Sequence, residues 1–197
     1  MSIALSSPTL HVERGIGRSI ARALSSMALS THGRPAVVRP MDCTHDTISA
    51  VARTGGVHGW VESLGLHGRT VDHVVLDGAG VTTIASTWPN GALTESALVA
   101  LAADAAGDAI QTTTVVRAAG CDAAVRPVVA VWGDAQADVP AGGVTSSGAL
   151  VIRGADLEAF LAWSASTHDA FGFNDAVDLL VGLEDVPSVE RVVSTVR

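Results

Sequence analysis

Three β-rich stretches separated by short turn signals constrain the fold of this chain more than any other feature. Residues 57–66, 71–76 and 81–87 are rich in Val, Ile, Thr and Trp, and the Asp-Gly-Ala-Gly segment at 77–80 is typical of a hairpin turn. Consecutive strands joined by such short connections pair antiparallel, because a parallel connection needs a longer crossover. We therefore predict an antiparallel meander in the middle third of the chain.

Helical patterns lie on both sides of this meander. Apolar residues recur at steps of three and four over residues 9–29, which predicts an amphipathic helix. Residues 36–39 then suggest a short strand, and residues 46–53 suggest one or two helical turns. The Ala-rich stretch 94–119 predicts a further helical region, in which Gly107 marks an interruption or a junction between two helices.

The last part of the chain alternates between strand and helix. The valine-rich run 125–132 is too short for a typical buried helix, so it predicts a central strand. A loop rich in Gly and Ser over residues 134–148 follows, and then a last strand at 149–152 and a helix at 154–163. Two short helical patterns are predicted in the tail from Asp175 onward.

This order of elements predicts the fold class. We expect a single α/β domain whose central mixed β-sheet combines the antiparallel meander with the later strands and is flanked by helices. A chain of 197 residues is long enough to bury one hydrophobic core. We place this domain at residues 1–165 and a C-terminal helical extension at residues 166–197, with its second helical pattern opened by Asp185 and Pro187.

The basic residues, the net charge and the absence of several motifs exclude a number of function classes. All 12 basic residues are arginines, so no mechanism that needs a lysine ammonium can operate, and this excludes the P-loop. The nucleophile elbow, the dinucleotide-binding glycine motif and the CxxC and HExxH zinc motifs are also absent. The formal net charge of -8 repels polyanions, which argues against a nucleic-acid partner.

Hydropathy and the N-terminal sequence predict the cellular location of the protein, and the location predicts the state of its cysteines. No apolar stretch approaches the ~18–20 residues of a membrane helix, so we expect no membrane association. Residues 1–10 lack the basic and apolar regions of a secretory signal, which predicts a cytoplasmic location. In a reducing cytosol, Cys43 and Cys121 are expected to be free thiols.

Histidines and nearby acids form two groups of possible metal ligands. The groups are His58, His67 and His73 on adjacent strand candidates, and Asp42, His45 and Asp46 close together in sequence. A metal ion needs three or four donor atoms within ~2–2.5 Å of one point, and position in the sequence does not establish such convergence. Surface or hydrogen-bonded histidines are the alternative interpretation.

A resemblance to a known family begins at Asp72, which lies at the start of the second predicted strand. An acid there, with a second acid and a lysine near the end of the next strand, is the layout of the PD-(D/E)xK nuclease core. In that core two carboxylates hold Mg²⁺ and the lysine helps to activate water. The segments VDHVV at 71–75 and GVTTI at 80–84, followed by Trp88, resemble the nuclease-related domain (NERD) family.

Weaker similarities extend the resemblance to roughly residues 9–163. Glu13 and Arg14 are similar to the family's N-terminal Gly-Glu-Arg segment, although Val12 stands in place of the glycine. The later strand, the closing strand and the closing helix of the family resemble residues 125–129, 148–152 and 156–161. The resemblance implies a restriction-endonuclease-like fold. It does not cover residues 34–56 or the tail after residue 164.

The chain departs from the family at the catalytic positions. The second acid of the family falls on Ala85 and its lysine on Thr87. A small shift in alignment changes nothing, since no Asp or Glu lies between Gly78 and Thr94 and the chain has no lysine. A metal carboxylate and a water-activating cation are each worth about 10²–10⁴ in rate, by analogy with other catalytic groups. The resemblance thus implies a fold without nuclease activity.

Three hypotheses follow. The first is a catalytically inactive NERD-like pseudonuclease that serves as a binding, regulatory or structural protein, without a cofactor and with a protein partner or self-association. The second is a divergent Mg²⁺-dependent nuclease in which Asp72 and Glu13 bind the metal and an arginine such as Arg69 replaces the lysine. The third is that the resemblance is accidental and the sheet belongs to another α/β fold.

The surroundings of Asp72 discriminate between the first two hypotheses. Acids grouped around Asp72 favour the enzyme, whereas Asp72 alone beside an apolar surface favours the binding protein. Each acid also has a structural interpretation, since Asp72 can cap a turn and Glu13 can stabilise the first turn of a helix. The tryptophans are expected to pack at the edges of the core, and Trp88 with the turn at 89–91 is a candidate exposed contact surface.

Overall fold

The computed structural model describes residues 38–66, 68–167, 171–192 and 194–196. The helix predicted at residues 9–29, and with it Glu13, lies outside the described residues, as does His67. The α-helices of the described part are α1 (Pro40–Arg53), α2 (Glu95–Ala118), α3 (Leu157–Thr167) and α4 (Phe173–Glu184). The strands are β1 (Gly59–Leu66), β2 (Arg69–Asp77), β3 (Gly80–Thr87), β4 (Val125–Val131), β5 (Val144–Ser146), β6 (Ala149–Arg153), β7 (Val189–Arg191) and β8 (Ser194–Val196).

All of these strands belong to one mixed sheet of eight strands. Its order is β5-β6-β4-β3-β2-β1-β7, and β8 pairs with the other end of β1. The strands β1, β2 and β3 form the predicted antiparallel meander, whereas β4 is parallel to both β3 and β6. The sheet with helices on both of its faces confirms the predicted α/β fold class.

The helices divide between the two faces of the sheet. On one face α1 and α3 pack against the sheet in a core that contains Ile48, Trp60, Ile84 and Leu161. On the other face α2 and α4 pack against the sheet in two further clusters. Successive side chains of a strand point to opposite faces, so the strands supply apolar side chains to both layers of helices. The fold is therefore a three-layer arrangement with the sheet in the middle.

The second helix is continuous, which corrects the predicted interruption at Gly107. Thr94 caps α2 by accepting a hydrogen bond from the Ala97 amide, and the helix then runs unbroken to Ala118. A glycine inside a helix costs only about 1 kcal/mol relative to alanine, which burial of one helix face outweighs. A Cβ on Gly107 would lie 3.6 Å from the Arg69 guanidinium, which is an ordinary van der Waals contact, so an alanine would also fit at this position.

The first described helix is longer than predicted. It begins at Pro40 rather than near residue 46, because a proline at the first helical position has a backbone angle that already suits a helix. Arg39 is its extended N-cap, so the strand predicted at 36–39 is not present at the described residues 38 and 39. Thr44, Ile48, Val51 and Ala52 form the buried face of α1.

The tail differs from the predicted helical extension. One helix, α4, is present, but the second helical pattern is replaced by β7 and β8, which pair antiparallel with β1. The physical reason is that β1 would otherwise expose an unpaired edge, and short strands cover it. The predicted domain boundary after residue 165 stays a prediction.

Two smaller findings concern the loop and the helices. The predicted loop at 134–148 contains a 3₁₀ turn, Asp134–Asp138, and the short strand β5. In the described part of the chain, no helix has the length and apolar character needed to span a bilayer.

Candidate functional site

Three side chains from α1, β1 and β2 converge on one face of the sheet. They are His45, Glu62 and His73, and their potential ligand atoms all lie within 4.8 Å of one another. Glu62 and His73 are direct cross-strand partners, so their side chains lie side by side on the same face. Because the buried face of α1 packs over this part of the sheet, His45 completes the group. It is the single group of three such donors within the described ranges.

The Glu62 carboxylate is the centre of this group, which we call the His-Glu-His cluster. Its Oε1 atom lies 2.9 Å from His45 Nδ1 and 3.8 Å from His73 Nε2. The centroids of the two imidazole rings are 6.5 Å apart. The side chains of Glu62 and His45 are 17% and 22% exposed, so solvent reaches one side of the cluster.

His73 is the unusual member of the cluster. Its side chain is 0% exposed, and neither ring nitrogen has a hydrogen-bond partner among the residues that the structure describes. A buried polar group without a partner costs about 1–3 kcal/mol, so such groups are uncommon in folded proteins and need an explanation. Its Nε2 atom lies 3.8 Å from the Glu62 carboxylate, which is too long for a hydrogen bond.

The His45 ring is held from two further sides. Ser49 Oγ lies 3.4 Å from His45 Nε2, one helical turn along α1. The Trp60 ring meets the His45 ring edge-on, with 6.1 Å between the ring centroids. Both contacts orient the ring so that Nδ1 faces Glu62. Ser63 follows Glu62 with a φ of 55°, which is an uncommon conformation for a residue other than glycine.

The His-Glu-His cluster contains one histidine from each of the two predicted groups of possible metal ligands. His73 and His45 come together, whereas His58, Asp42 and Asp46 are not part of the cluster. Sequence reasoning missed Glu62. The signal that identifies it is its place as the single acid of β1, in register with His73 across the meander.

Asp72 lies on the opposite face of the sheet, because neighbouring residues of a strand point in opposite directions. Its Oδ2 atom accepts a hydrogen bond of 2.8 Å from the Ser86 amide, which ties β2 to β3. Asp72 and Ala85 both line a small cavity of about 50 Å³. The Ala85 methyl group therefore occupies the place that the resemblance assigns to the second acid.

Asp72 is not alone in this cavity, because Asp108 of α2 also lines it. Burial raises the pKa of Asp108, and the charges of Asp104 and Asp72 raise it further, while Arg69 acts in the opposite direction. Arg69 Nη1 lies 3.5 Å from Asp108 Oδ1, and its Nη2 lies 4.0 Å from Asp104 Oδ1. The acids are thus more grouped than the pseudonuclease hypothesis expected.

The remaining predicted residues are placed as follows. Thr87 ends β3, and its carbonyl oxygen accepts a hydrogen bond from the Trp132 amide. Trp88 is 44% exposed, so it is more open to solvent than a core-edge residue. A Cβ on Gly133, whose φ is 71°, would overlap the Trp88 indole, so the indole lies directly against that backbone.

Cys43 and Cys121 are free and half-buried.

No protein-family model, curated protein or solved structure matches this chain. The resemblance to the NERD family accordingly rests on the sequence motifs around Asp72.

Proposed function

We propose that this protein is a NERD-like pseudonuclease that has a restriction-endonuclease-like fold, does not cleave nucleic acid, and works as a binding, regulatory or structural component. The observation that carries this proposal is the environment of Asp72. An alanine methyl group, from Ala85, lies where a second metal carboxylate would be needed.

The requirements of Mg²⁺ support this proposal. The ion takes near-octahedral oxygen ligands at about 2.0–2.1 Å and usually needs one or two carboxylates together with substrate phosphates. One oxygen of Asp72 already accepts the Ser86 amide. The cavity of about 50 Å³ has room for only a few water molecules. Together these features leave little space for a hydrated ion and a phosphodiester.

The position of the catalytic lysine supports the proposal independently. Thr87 stands there, and a hydroxyl group supplies no positive charge to a developing oxyanion. The alternative cation is Arg69, and its guanidinium already contacts Asp104 and Asp108. A cation paired with two carboxylates is less able to stabilise negative charge elsewhere.

The charge balance favours a protein partner or self-association over nucleic acid. With a net charge of -8 and no lysine, the chain has few donors for phosphate contacts. Trp88 and the turn at 89–91 are the candidate contact surface, since a large exposed aromatic side chain is typical of interfaces.

One observation favours a second candidate function, a divergent Mg²⁺-dependent nuclease. Asp108 shares the cavity with Asp72, and the Asp108 carboxylate also pairs with Arg69. In this alternative Asp72 and Glu13 bind the metal, as the sequence suggests, and Arg69 replaces the missing lysine. The ion pairs of Arg69 with Asp104 and Asp108 weigh against it, because they already engage the cation that would replace the lysine.

A cleavage assay separates the two candidates. The purified protein is incubated with Mg²⁺ or Mn²⁺ and with single- and double-stranded DNA and RNA, and no cleavage is expected. The variant Asp72→Ala is compared with Asp122→Ala, a control in which an exposed acid far along the chain is removed. Cleavage that disappears in Asp72→Ala and persists in Asp122→Ala would refute the pseudonuclease proposal.

A second measurement tests residual Mg²⁺ binding. An ion that binds only the folded protein raises the melting temperature by an amount that grows with its concentration. We expect millimolar Mg²⁺ to leave the melting temperature unchanged. A rise that depends on concentration and is abolished by Asp72→Asn would show that the Asp72 cavity still holds metal.

Binding to nucleic acid is tested separately from cleavage. Near physiological ionic strength the protein should not be retained on immobilised DNA, and sedimentation at several concentrations should reveal whether it self-associates. Micromolar affinity for DNA that weakens steeply with salt would contradict the proposed type of partner.

A further inference from the structure

The geometry points to a transition-metal site in the His-Glu-His cluster, where His45, Glu62 and His73 bind one divalent ion of the zinc class. This site lies on the opposite face of the sheet from Asp72, so it is distinct from the position at which the family resemblance implies Mg²⁺. It does not depend on whether the protein cleaves nucleic acid.

The donor set selects the kind of metal. Two imidazole nitrogens and one carboxylate oxygen are ligands typical of Zn²⁺ and of neighbouring first-row ions. Mg²⁺ and Ca²⁺ prefer oxygen ligands alone, so two of the three donors suit them poorly. The cluster should consequently respond to Zn²⁺ under conditions in which it does not respond to Mg²⁺.

The distances between the potential ligand atoms of the cluster are close to those that such an ion requires. A tetrahedral ion with bonds of about 2.0–2.1 Å keeps its donor atoms about 3.3 Å apart. The two distances that involve Glu62 Oε1 are 2.9 Å and 3.8 Å, on either side of this value. Adjustments of about half an ångström place Glu62 Oε1 at this spacing from each imidazole, and the three donor atoms lie within 4.8 Å of one another.

The buried imidazole of His73 supplies an independent reason for a ligand. Its ring is fully buried, and in the described part of the chain neither nitrogen has a hydrogen-bond partner. A leucine of similar size would fill the same space without that cost. A bound metal ion satisfies Nε2 directly, because that nitrogen is the one nearest Glu62. Metal binding therefore explains why a polar side chain occupies this position.

The surroundings of the other two ligands resemble those of metal sites. Ser49 contacts the second nitrogen of the His45 ring, and a contact of this kind usually fixes the orientation of a metal-binding histidine. The partial exposure of Glu62 and His45 gives an ion a path from solvent. Three protein ligands leave a fourth position, on the exposed side, for water.

Calorimetric titration of the full chain with Zn²⁺, after treatment with a chelator and its removal, tests this inference. We expect one ion to bind per chain. Glu62→Gln keeps the shape of the side chain and removes its charge, whereas His73→Leu removes the buried donor. Each variant should weaken binding by about a hundredfold or more, since even indirect supporting residues are worth 10–100-fold.

The matched control is His58→Gln, which changes a histidine outside the cluster and should bind Zn²⁺ as the unaltered protein does. Circular dichroism of each variant shows whether its fold is retained, and Glu62→Gln serves if His73→Leu fails to fold. Two results would overturn the inference. One is no binding by the unaltered protein, and the other is unchanged affinity in the folded variants of Glu62 and His73.

Discussion

Replacing His73 with leucine should stabilise the metal-free protein while removing its response to zinc. In the metal-free state both nitrogens of the buried ring lack a hydrogen-bond partner within the described ranges, and an unsatisfied buried polar group costs about 1–3 kcal/mol. Leucine is similar in size and can pack against Ile84, the partner of His73 on β3. The substitution also removes the contact with the partly exposed Glu62 carboxylate, which is worth about 0–1 kcal/mol.

The net expectation is a gain of about 1–2 kcal/mol in the free energy of unfolding. For a chain of this size the gain corresponds to a rise in melting temperature of about 2–8 °C. Urea unfolding in the presence of a chelator measures it, with Glu62→Gln as the comparison that disrupts the cluster without adding apolar surface. A loss of more than about 1 kcal/mol in His73→Leu would mean that the imidazole has a polar partner, and the reasoning from its burial would be wrong.

Three further substitutions test other parts of the structure. Burial raises the pKa of Asp108, so the contribution of this group to stability is present at low pH and is lost as the pH rises through its folded-state pKa. Asp108→Asn should therefore melt at a higher temperature than the unaltered protein at neutral pH, and the difference should vanish below the ordinary pKa of 3.8. Asp77→Ala should lower the free energy of unfolding by about 1–3 kcal/mol, because it removes the buried carboxylate that accepts hydrogen bonds from Arg126 and Ser164; an unchanged free energy in urea unfolding would contradict this. Gly133→Ala should displace the Trp88 indole and shift tryptophan emission, and an unchanged spectrum and melting temperature would show that the overlap is relieved elsewhere.

Much of the fold could be predicted because its signals are local. Strand alternation and the turn at 77–80 specify the meander, and the valine run at 125–131 specifies an interior strand. The errors have a different origin. The tail forms β7 and β8 because they cover the edge of β1, and this depends on a neighbour far away in sequence. Gly107 does not break α2, because packing of the helix outweighs the weak preference of one residue.

The sequence predicts only part of the candidate metal site. It places His73 and His45 in two separate groups of possible ligands, because it does not specify which helix crosses β1 and β2. Glu62 becomes significant only through its register with His73, which is a property of the paired strands. Asp72, by contrast, was identified from a motif, and the sequence did not show that Asp108 shares its cavity.

Metal binding in this fold is expected at the His-Glu-His cluster and not at the Asp72 cavity. Crystals grown with both Zn²⁺ and Mn²⁺, with anomalous scattering measured at each absorption edge, test it directly. The account predicts a zinc peak about 2.0–2.2 Å from His45 Nδ1, Glu62 Oε1 and His73 Nε2, and no manganese peak near Asp72. A manganese peak between Asp72 and Asp108, with no zinc peak at the cluster, would contradict the account.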